Sequence, residues 1–367
     1  MNEIKTKSIT IRAAEGRVHC VKINEDGDLL FTGGSTAYLT AWEVKTGKRL
    51  GTYIVAPNNP FSQQAALDSL INPPTAAIKY IDVKRDSSEV AITHSYSIII
   101  FEVLTGAVLD YIPYVTNIND IEFNQSPIKI DKFLVGVSAR VRNSADQVPE
   151  VCMWQCSDLH PENYGKSNRD WKLVKNYSTE GEIPAVVRWG PLDQLVICGT
   201  EHGTIFMWDI EGNIVHKLKA HSDEITDISF NKDRSVMLTV SRDKTAKLWN
   251  TVELRLIKTY VTDRPLNTGC ISPDFDKTDD DRRFHIILAG GQDAKEVTTS
   301  STDQGFFETL ILDLISGQEL ARITAHFSPI LTLRYLMNGK GFVTGSYEGN
   351  CKIIELPNSF FAGELVI

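Results

Sequence analysis

His221, Ser241 and Asp243 fall in one short stretch of the chain, and Trp249 follows Asp243 by six residues. Brought together, a histidine, an aspartate and a serine could form a hydrolase relay, in which the imidazole takes the serine proton and the carboxylate orients the ring. In the α/β-hydrolases the nucleophilic serine sits on a strained turn between a strand and a helix. Ser241 instead closes VMLTVS, an alternating apolar run that reads as a strand. A structural role fits these residues better. A buried indole N–H, an imidazole, a carboxylate and a hydroxyl, from Ser241 or Thr239, can satisfy one another, whereas an orphaned buried donor costs ~1–3 kcal/mol.

Other reactive-looking residues carry less. Cys152 and Cys156 are four apart around Trp154, with no second cysteine pair to complete a zinc site. AGGQDAK, from Ala289, lacks the spacing and the strand-to-helix setting of a phosphate loop. Asp279, Asp280 and Asp281 are followed by Arg282 and Arg283, as in a solvated loop rather than a calcium loop. Asn124 and Asn176 begin glycosylation sequons, which have no role in a cytosolic chain. Lys166, Arg169, Lys172 and Lys175 interleave with Tyr164, Trp171 and Tyr177, the one stretch with the makings of an RNA contact. No catalytic constellation, cofactor motif or metal set emerges, so the expectation is a protein that is not an enzyme.

The elements that must hold these residues repeat along the chain. Pro184–Leu218 and Asp223–Tyr260 share one plan: an alternating run, a polar turn, a second run ending in small residues, a charged turn, a third run ending in Trp, and a fourth run. Trp208 and Trp249 stand 41 residues apart. Four short strands per ~40–45 residues, with a Trp closing the third, mark a WD40 propeller blade. The unit extends with falling fidelity through Trp42, Phe101 and Trp154 on one side, and through Pro265 and Ser328–Leu356 on the other. The count is seven blades in a single unit spanning 1–367. Ser8–Arg12 has no blade before it and the last blade has only three strands, so the N-terminal strand is expected to close the ring. Insertions are expected at 56–75, 140–170 and 274–283, where Pro, Asn, Asp and Ser accumulate.

Blade five alone carries the whole structural set, His221, Ser241, Asp243 and Trp249. Thr36, Ser95, Val148, His202 and Glu348 occupy the aspartate's place elsewhere, and only Ala325-His326 repeats the Ala-His before a blade.

Composition bounds the setting. With 42% apolar and 23% charged residues the chain can bury a core, which excludes a disordered protein. The start, MNEIKTKSIT, is too polar for a secretory leader, and no run approaches the ~18 apolar residues of a membrane span. Six scattered cysteines suit a reducing compartment, so a cytoplasmic location is expected. A net charge of −9 argues against a surface that grips phosphate backbones as a whole.

From Thr259 onward the chain closely resembles subunit i of eukaryotic translation initiation factor 3. The shared stretches are TDRPLN (Thr262–Asn267), GGQDAKEVTTS (Gly290–Ser300), GFFE (Gly305–Glu308) and AHFSP (Ala325–Pro329). Blades four, five and one fit as well. Ala13-Ala14 before blade one, Phe101-Glu102 in blade two and the three insertions depart from the pattern. The resemblance implies a non-catalytic scaffold that captures the C-terminal helical segment of subunit b, associates with subunit g, and reaches the 40S ribosomal subunit through these partners. It implies a basic, aromatic partner helix near blades five and six, with Asp227 and Asp243 offering charge. The competing reading is a WD40 signalling adaptor that docks kinases or receptors, against which the GGQ…VTTSS segment argues.

Overall fold

A computed structural model describes residues 6–54, 77–94, 97–113, 117–125, 132–138, 149–156, 169–273, 284–291 and 307–361. The expected insertions at 56–75 and 274–283 lie outside these residues, as do the distinctive residues 292–306. The stretch 140–170 is divided by a strand.

Strand β1 (Lys7–Arg12) precedes blade one, which holds β2 (Val18–Ile23), β3 (Leu29–Gly34), β4 (Tyr38–Glu43) and β5 (Arg49–Ile54). Blade two holds β6 (Ile78–Val83), β7 (Glu89–His94), β8 (Ser97–Glu102) and β9 (Val108–Pro113). Blade three holds β10 (Asn117–Phe123), β11 (Lys132–Ser138), β12 (Glu150–Cys156) and β13 (Trp171–Ser178). Blade four holds β14 (Pro184–Trp189), β15 (Leu195–Thr200), β16 (Thr204–Asp209) and β17 (Ile214–Lys219). Blade five holds β18 (Ile225–Phe230), β19 (Val236–Ser241), β20 (Thr245–Asn250) and β21 (Arg255–Val261). Blade six holds β22 (Leu266–Ile271), β23 (His285–Gly290), β24 (Thr309–Asp313) and β25 (Glu319–Ile323). Blade seven holds β26 (Ile330–Tyr335), β27 (Gly341–Ser346) and β28 (Asn350–Glu355).

Each blade is a four-stranded antiparallel sheet in chain order, and the seven first strands touch in a closed cycle that ends with β26 against β2. The fourth strand of blade seven is β1, paired from Lys7↔Glu355 to Arg12↔Asn350. The expected N-terminal closure is therefore present, and the inner edges are enclosed by the ring, leaving the outermost strand of each blade as its free edge.

The core lies between blades, because each short strand has two faces and a blade has neighbours on both. Trp249, Met237 and Leu254 of blade five pack with Ile205 and Met207 of blade four, while Leu238, Val240 and Leu248 face Ile286 and Leu288 of blade six. The seams carry a repeated hydrogen bond. Tyr53, Tyr177 and Tyr260, each on a fourth strand, donate their hydroxyls to Val103, Ile210 and Leu314 of the next blade at 2.6, 3.3 and 2.6 Å. Burial raises all three phenols and keeps them protonated as donors, with Tyr177 at about 12. The ring's closure leans on Gly47, whose φ is 68° and where an added Cβ would stand 2.6 Å from Ile9 of β1. Only glycine meets both demands without strain.

Two faces follow from this topology. One carries the turns from first to second and from third to fourth strands; we call it the turn face. The other, the crossover face, carries the second-to-third turns and the connections between blades. Among the described residues, no helix is long and apolar enough to cross a membrane.

Candidate functional site

The four residues expected to form one set in blade five do not all meet. Trp249 Nε1 donates to Thr239 Oγ1 at 2.9 Å, Thr239 Oγ1 lies 2.8 Å from His221 Nε2, and His221 Nδ1 lies 3.0 Å from Asp243 Oδ2. The linking hydroxyl is Thr239, not Ser241. Side chains at 237, 239 and 241 share one strand face, and Trp249 pairs with Met237, so the indole reaches the hydroxyl two places on, not four. Ser241 Oγ turns to the crossover connection, where it accepts from Asp243 N and donates to the Asp223 carbonyl. The chain of bonds fixes His221 as a neutral ring with its proton on Nδ1: Trp249 donates to Thr239, Thr239 to Nε2, and Nδ1–H to Asp243.

The same construction recurs. In blade seven, His326 lies 2.8 Å from Thr344 Oγ1 and 3.0 Å from Glu348 Oε1; in blade one, Trp42 Nε1 donates to Thr32 at 2.9 Å. The threonine stands ten residues before its Trp and eighteen after its His, a spacing that was present in the sequence to be found. Thr239 is wholly buried and its hydroxyl is committed to structure, so the set offers no nucleophile.

Asp243 has 8% of its side chain exposed and accepts from Ser222 N, Thr245 N and the Thr245 hydroxyl. Burial pushes its carboxyl up, but these bonds and His221 outweigh that and hold it below the usual range. Asp227 sits elsewhere, facing the channel, with 4% exposure. One of its oxygens lies 3.3 Å from Arg188, and the other accepts from Thr268 at 2.7 Å and Arg334 at 2.8 Å. Against burial, Arg334 and then Arg188 hold Asp227 ionised below its ordinary value. The two aspartates expected to offer charge to one partner are thus a tetrad member on the crossover face and a buried strut of the ring.

That strut belongs to a wider network. Arg188 also pairs with Asp120, and Asp120 accepts from Val187 N at 3.0 Å. Glu122 accepts from Trp189 N at 2.6 Å and pairs with Arg234 at 2.9 Å, and Asp82 accepts from Phe123 N at 2.7 Å and pairs with Lys22 at 2.5 Å. Each carboxylate thereby satisfies inner-edge amides of the next blade, which would otherwise face the channel unpaired. Burial raises Asp120 despite Arg188, while Arg234 and Arg188 together hold Glu122 low.

Among the described residues, the basic stretch between 166 and 175 offers no ring for stacking. Arg169 is turned inward, donating from Nη1 and Nη2 to Glu89 at 2.8 and 2.7 Å and from its backbone N–H and Nε to Asp110 at 2.8 and 2.7 Å. Trp171 and Tyr177 are buried in the seams beside blade three, so neither ring is available to a base. Tyr164 and Lys166 lie outside the described residues. Cys152 and Cys156 share strand β12; four residues of strand separate them by ~13 Å, too far for a common zinc ion.

The turn face carries the residues that sequence reading passed over. Val236, Leu248, Ile257 and Lys258 of blade five and Leu314 and Ile315 of blade six line an apolar cleft of about 480 Å³. Ile257 is 51% and Ile315 74% exposed. The cleft and Asp243 lie at opposite ends of blade five.

Four buried or half-buried histidines give the fold a pH dependence. Burial lowers His19, His94, His221 and His326, with His19 at about 4 instead of 6.5. An unfolded chain binds these protons more readily, so their contribution is complete above about pH 6.5 and is lost as pH falls toward the folded value. The expected loss from His19 between pH 7 and 5 is about 1–2 kcal/mol. Urea midpoints at the two pH values should show it, and His19→Asn should flatten the slope; an unchanged slope would contradict the assignment.

Comparison with known proteins agrees with the geometry. A family model described as "WD domain, G-beta repeat" matches residues 212–250 and 317–355. These matches end on the third strands of blades five and seven, the two with a histidine–threonine link. The chain is 30% identical to "Eukaryotic translation initiation factor 3 subunit I" of Drosophila simulans over 359 residues, 97% of this chain and 98% of the relative. It is 28% identical to the proteins of that name from Bombyx mori, covering 97% of each chain, and from Nematostella vectensis, covering 96% of this chain and 98% of the relative.

Proposed function

Because the chain belongs to the eukaryotic translation initiation factor 3 subunit I family, we propose that it captures the C-terminal segment of subunit b, associates with subunit g, and in this way joins the assembly on the 40S ribosomal subunit. It is a WD40 subunit of a translation initiation factor and a non-catalytic scaffold. A propeller suits that task, because a rigid ring presents two faces and an outer rim to several partners at once.

The observation that carries the partner assignment is the cleft between blades five and six. A helix laid across the turn face would bury Ile257 and Ile315 and fill the apolar space above Leu248 and Leu314, the arrangement by which an amphipathic helix docks into a groove. Asp243 offers its remaining exposed edge at the crossover end of the same blade, and Asp227 supports blade five from inside the ring.

Binding of the purified subunit b segment to the full chain tests the proposal. The wild type should bind, and Ile257→Asp with Ile315→Asp should weaken it at least about tenfold, since two desolvated anchors are lost, with the melting temperature little changed. Asp227→Lys should lower stability and binding together. No binding by the folded wild type, or equal binding by the double variant, would sink the assignment.

A further inference from the structure

The fourth strands of blades three, four and five form a basic and apolar rim on an otherwise acidic protein. Strands β13, β17 and β21 contain Lys172, Lys175, Lys217, Lys219, Arg255 and Lys258, and no aspartate or glutamate. Lys172, Lys217 and Arg255 are answered by Asp170, Glu180 and Glu253 at 2.7, 2.6 and 3.0 Å. Among the described residues no carboxylate answers Lys175, Lys219 or Lys258, which leaves one surplus cation on each strand. Lys219 donates to the carbonyl of His202, and Lys258 to that of Ile315 while lying over the Tyr260 ring.

Lysines at a strand edge are ordinary protection against pairing. Aliphatic side chains between them are not. Strand β17 is exposed along its length except at His216, and its Ile214, Val215 and Leu218 are 50%, 44% and 39% exposed. Among the described residues it is paired only with β16, so its outer edge offers a row of backbone donors and acceptors. On the β13 side Leu173 and Val174 continue the apolar surface at 46% and 50% exposure.

We propose that the outer edge of β17 is a docking site for an extended acidic peptide segment that adds as a fifth strand to blade four. Main-chain bonds to the edge would supply affinity, aliphatic residues of the peptide would cover Val215 and its neighbours, and its carboxylates would meet Lys175 and Lys219. Nucleic acid fits less well. Base recognition needs exposed rings to stack on, and here the aromatic side chains, Trp171, Tyr177 and Tyr260, are buried while the exposed residues are aliphatic. The site is separate from the cleft between blades five and six, so either assignment can fail without the other.

The test uses the full chain and a fluorescein-labelled peptide of about ten alternating valines and glutamates, long enough to span a strand and its flanks. Fluorescence anisotropy should show binding that weakens with salt. Affinity should fall at least about tenfold in the Val215→Glu, Lys219→Glu double variant, for the loss of one apolar contact and the reversal of one charge. The single variant Val215→Glu, with unchanged circular dichroism, guards against a folding defect. Amide exchange of β17 should slow when the peptide is bound. Absence of binding at about 1 mM peptide, equal binding by the variants, equal binding of a valine–lysine peptide, or no protection of β17 would each overturn the proposal. Tighter binding of oligouridine, lost in the same variants, would assign the rim to RNA instead.

Discussion

Replacing Arg188 by methionine should destabilise the propeller by about 3–5 kcal/mol, the range for removing one partner of a buried ion pair. The loss comes less from the missing attraction than from what is left behind. Asp120 and Asp227 are 6% and 4% exposed, and both direct oxygens at the Arg188 guanidinium. Without it Asp227 keeps Arg334 and Thr268, but Asp120, already pushed upward by burial, has no second cation in its contacts among the described residues. Urea unfolding at pH 7 should show a lower midpoint with an unchanged slope. Adding Asp120→Asn to the Arg188→Met variant should recover part of the loss, because the orphaned charge is gone. A cost below about 1 kcal/mol would mean the channel's water solvates these carboxylates well enough to make the network incidental.

Thr239→Val should cost about 2–4 kcal/mol, whereas Ser241→Ala should cost under about 1 kcal/mol. Valine keeps the shape of threonine and removes only the hydroxyl. That hydroxyl serves two fully enclosed partners, Trp249 Nε1 and His221 Nε2, and among the described residues neither has a second partner. Ser241 is as buried as Thr239, but its partners are backbone groups of exposed Asp223 and half-buried Asp243 at the crossover face, which lie close to solvent and lose less when the hydroxyl goes. Paired unfolding curves decide between the two hydroxyls. Equal costs, or a larger cost at Ser241, would restore the serine to the tetrad.

The ring was legible in the sequence because its signal repeats. Seven runs of alternating apolar residues closed by Trp or its substitute define the blades, and the orphan strand at Ser8–Arg12 pairs with β28 as expected. The identity of the linking hydroxyl was not legible from a motif that names only residue types, since Thr239 and Ser241 lie on the same face of one strand. Only the pairing register of β19 with β20 separates them. The charged network had a sequence signal that went unused: Lys22, Asp82, Glu122, Arg188 and Arg334 all occupy the penultimate place of their blades' first strands. A charge repeated at one place in an apolar strand points to a shared interior, here the channel.

Asp227 misled for the opposite reason. An aspartate in a strand that alternates apolar and polar residues looks like its solvent side, and its burial depends on Arg188 and Arg334, which are distant in sequence and adjacent only in the folded ring. The same holds for Arg169, which reads as one of four cations in a polar stretch. In the fold it ties blade three to Glu89 and Asp110 of blade two, both nearly inaccessible. In each case sequence pattern supplied the type of group and long-range closure decided whether it met solvent or a partner.

The central claim, that this propeller works as a scaffold within translation initiation factor 3, is tested most directly by tagging the chain in its own cells, purifying it under mild conditions and identifying what comes with it. Subunits b and g of the factor should copurify in constant proportion, together with 40S ribosomal particles. Recovery of kinases or receptors without any initiation factor 3 subunit would contradict the claim.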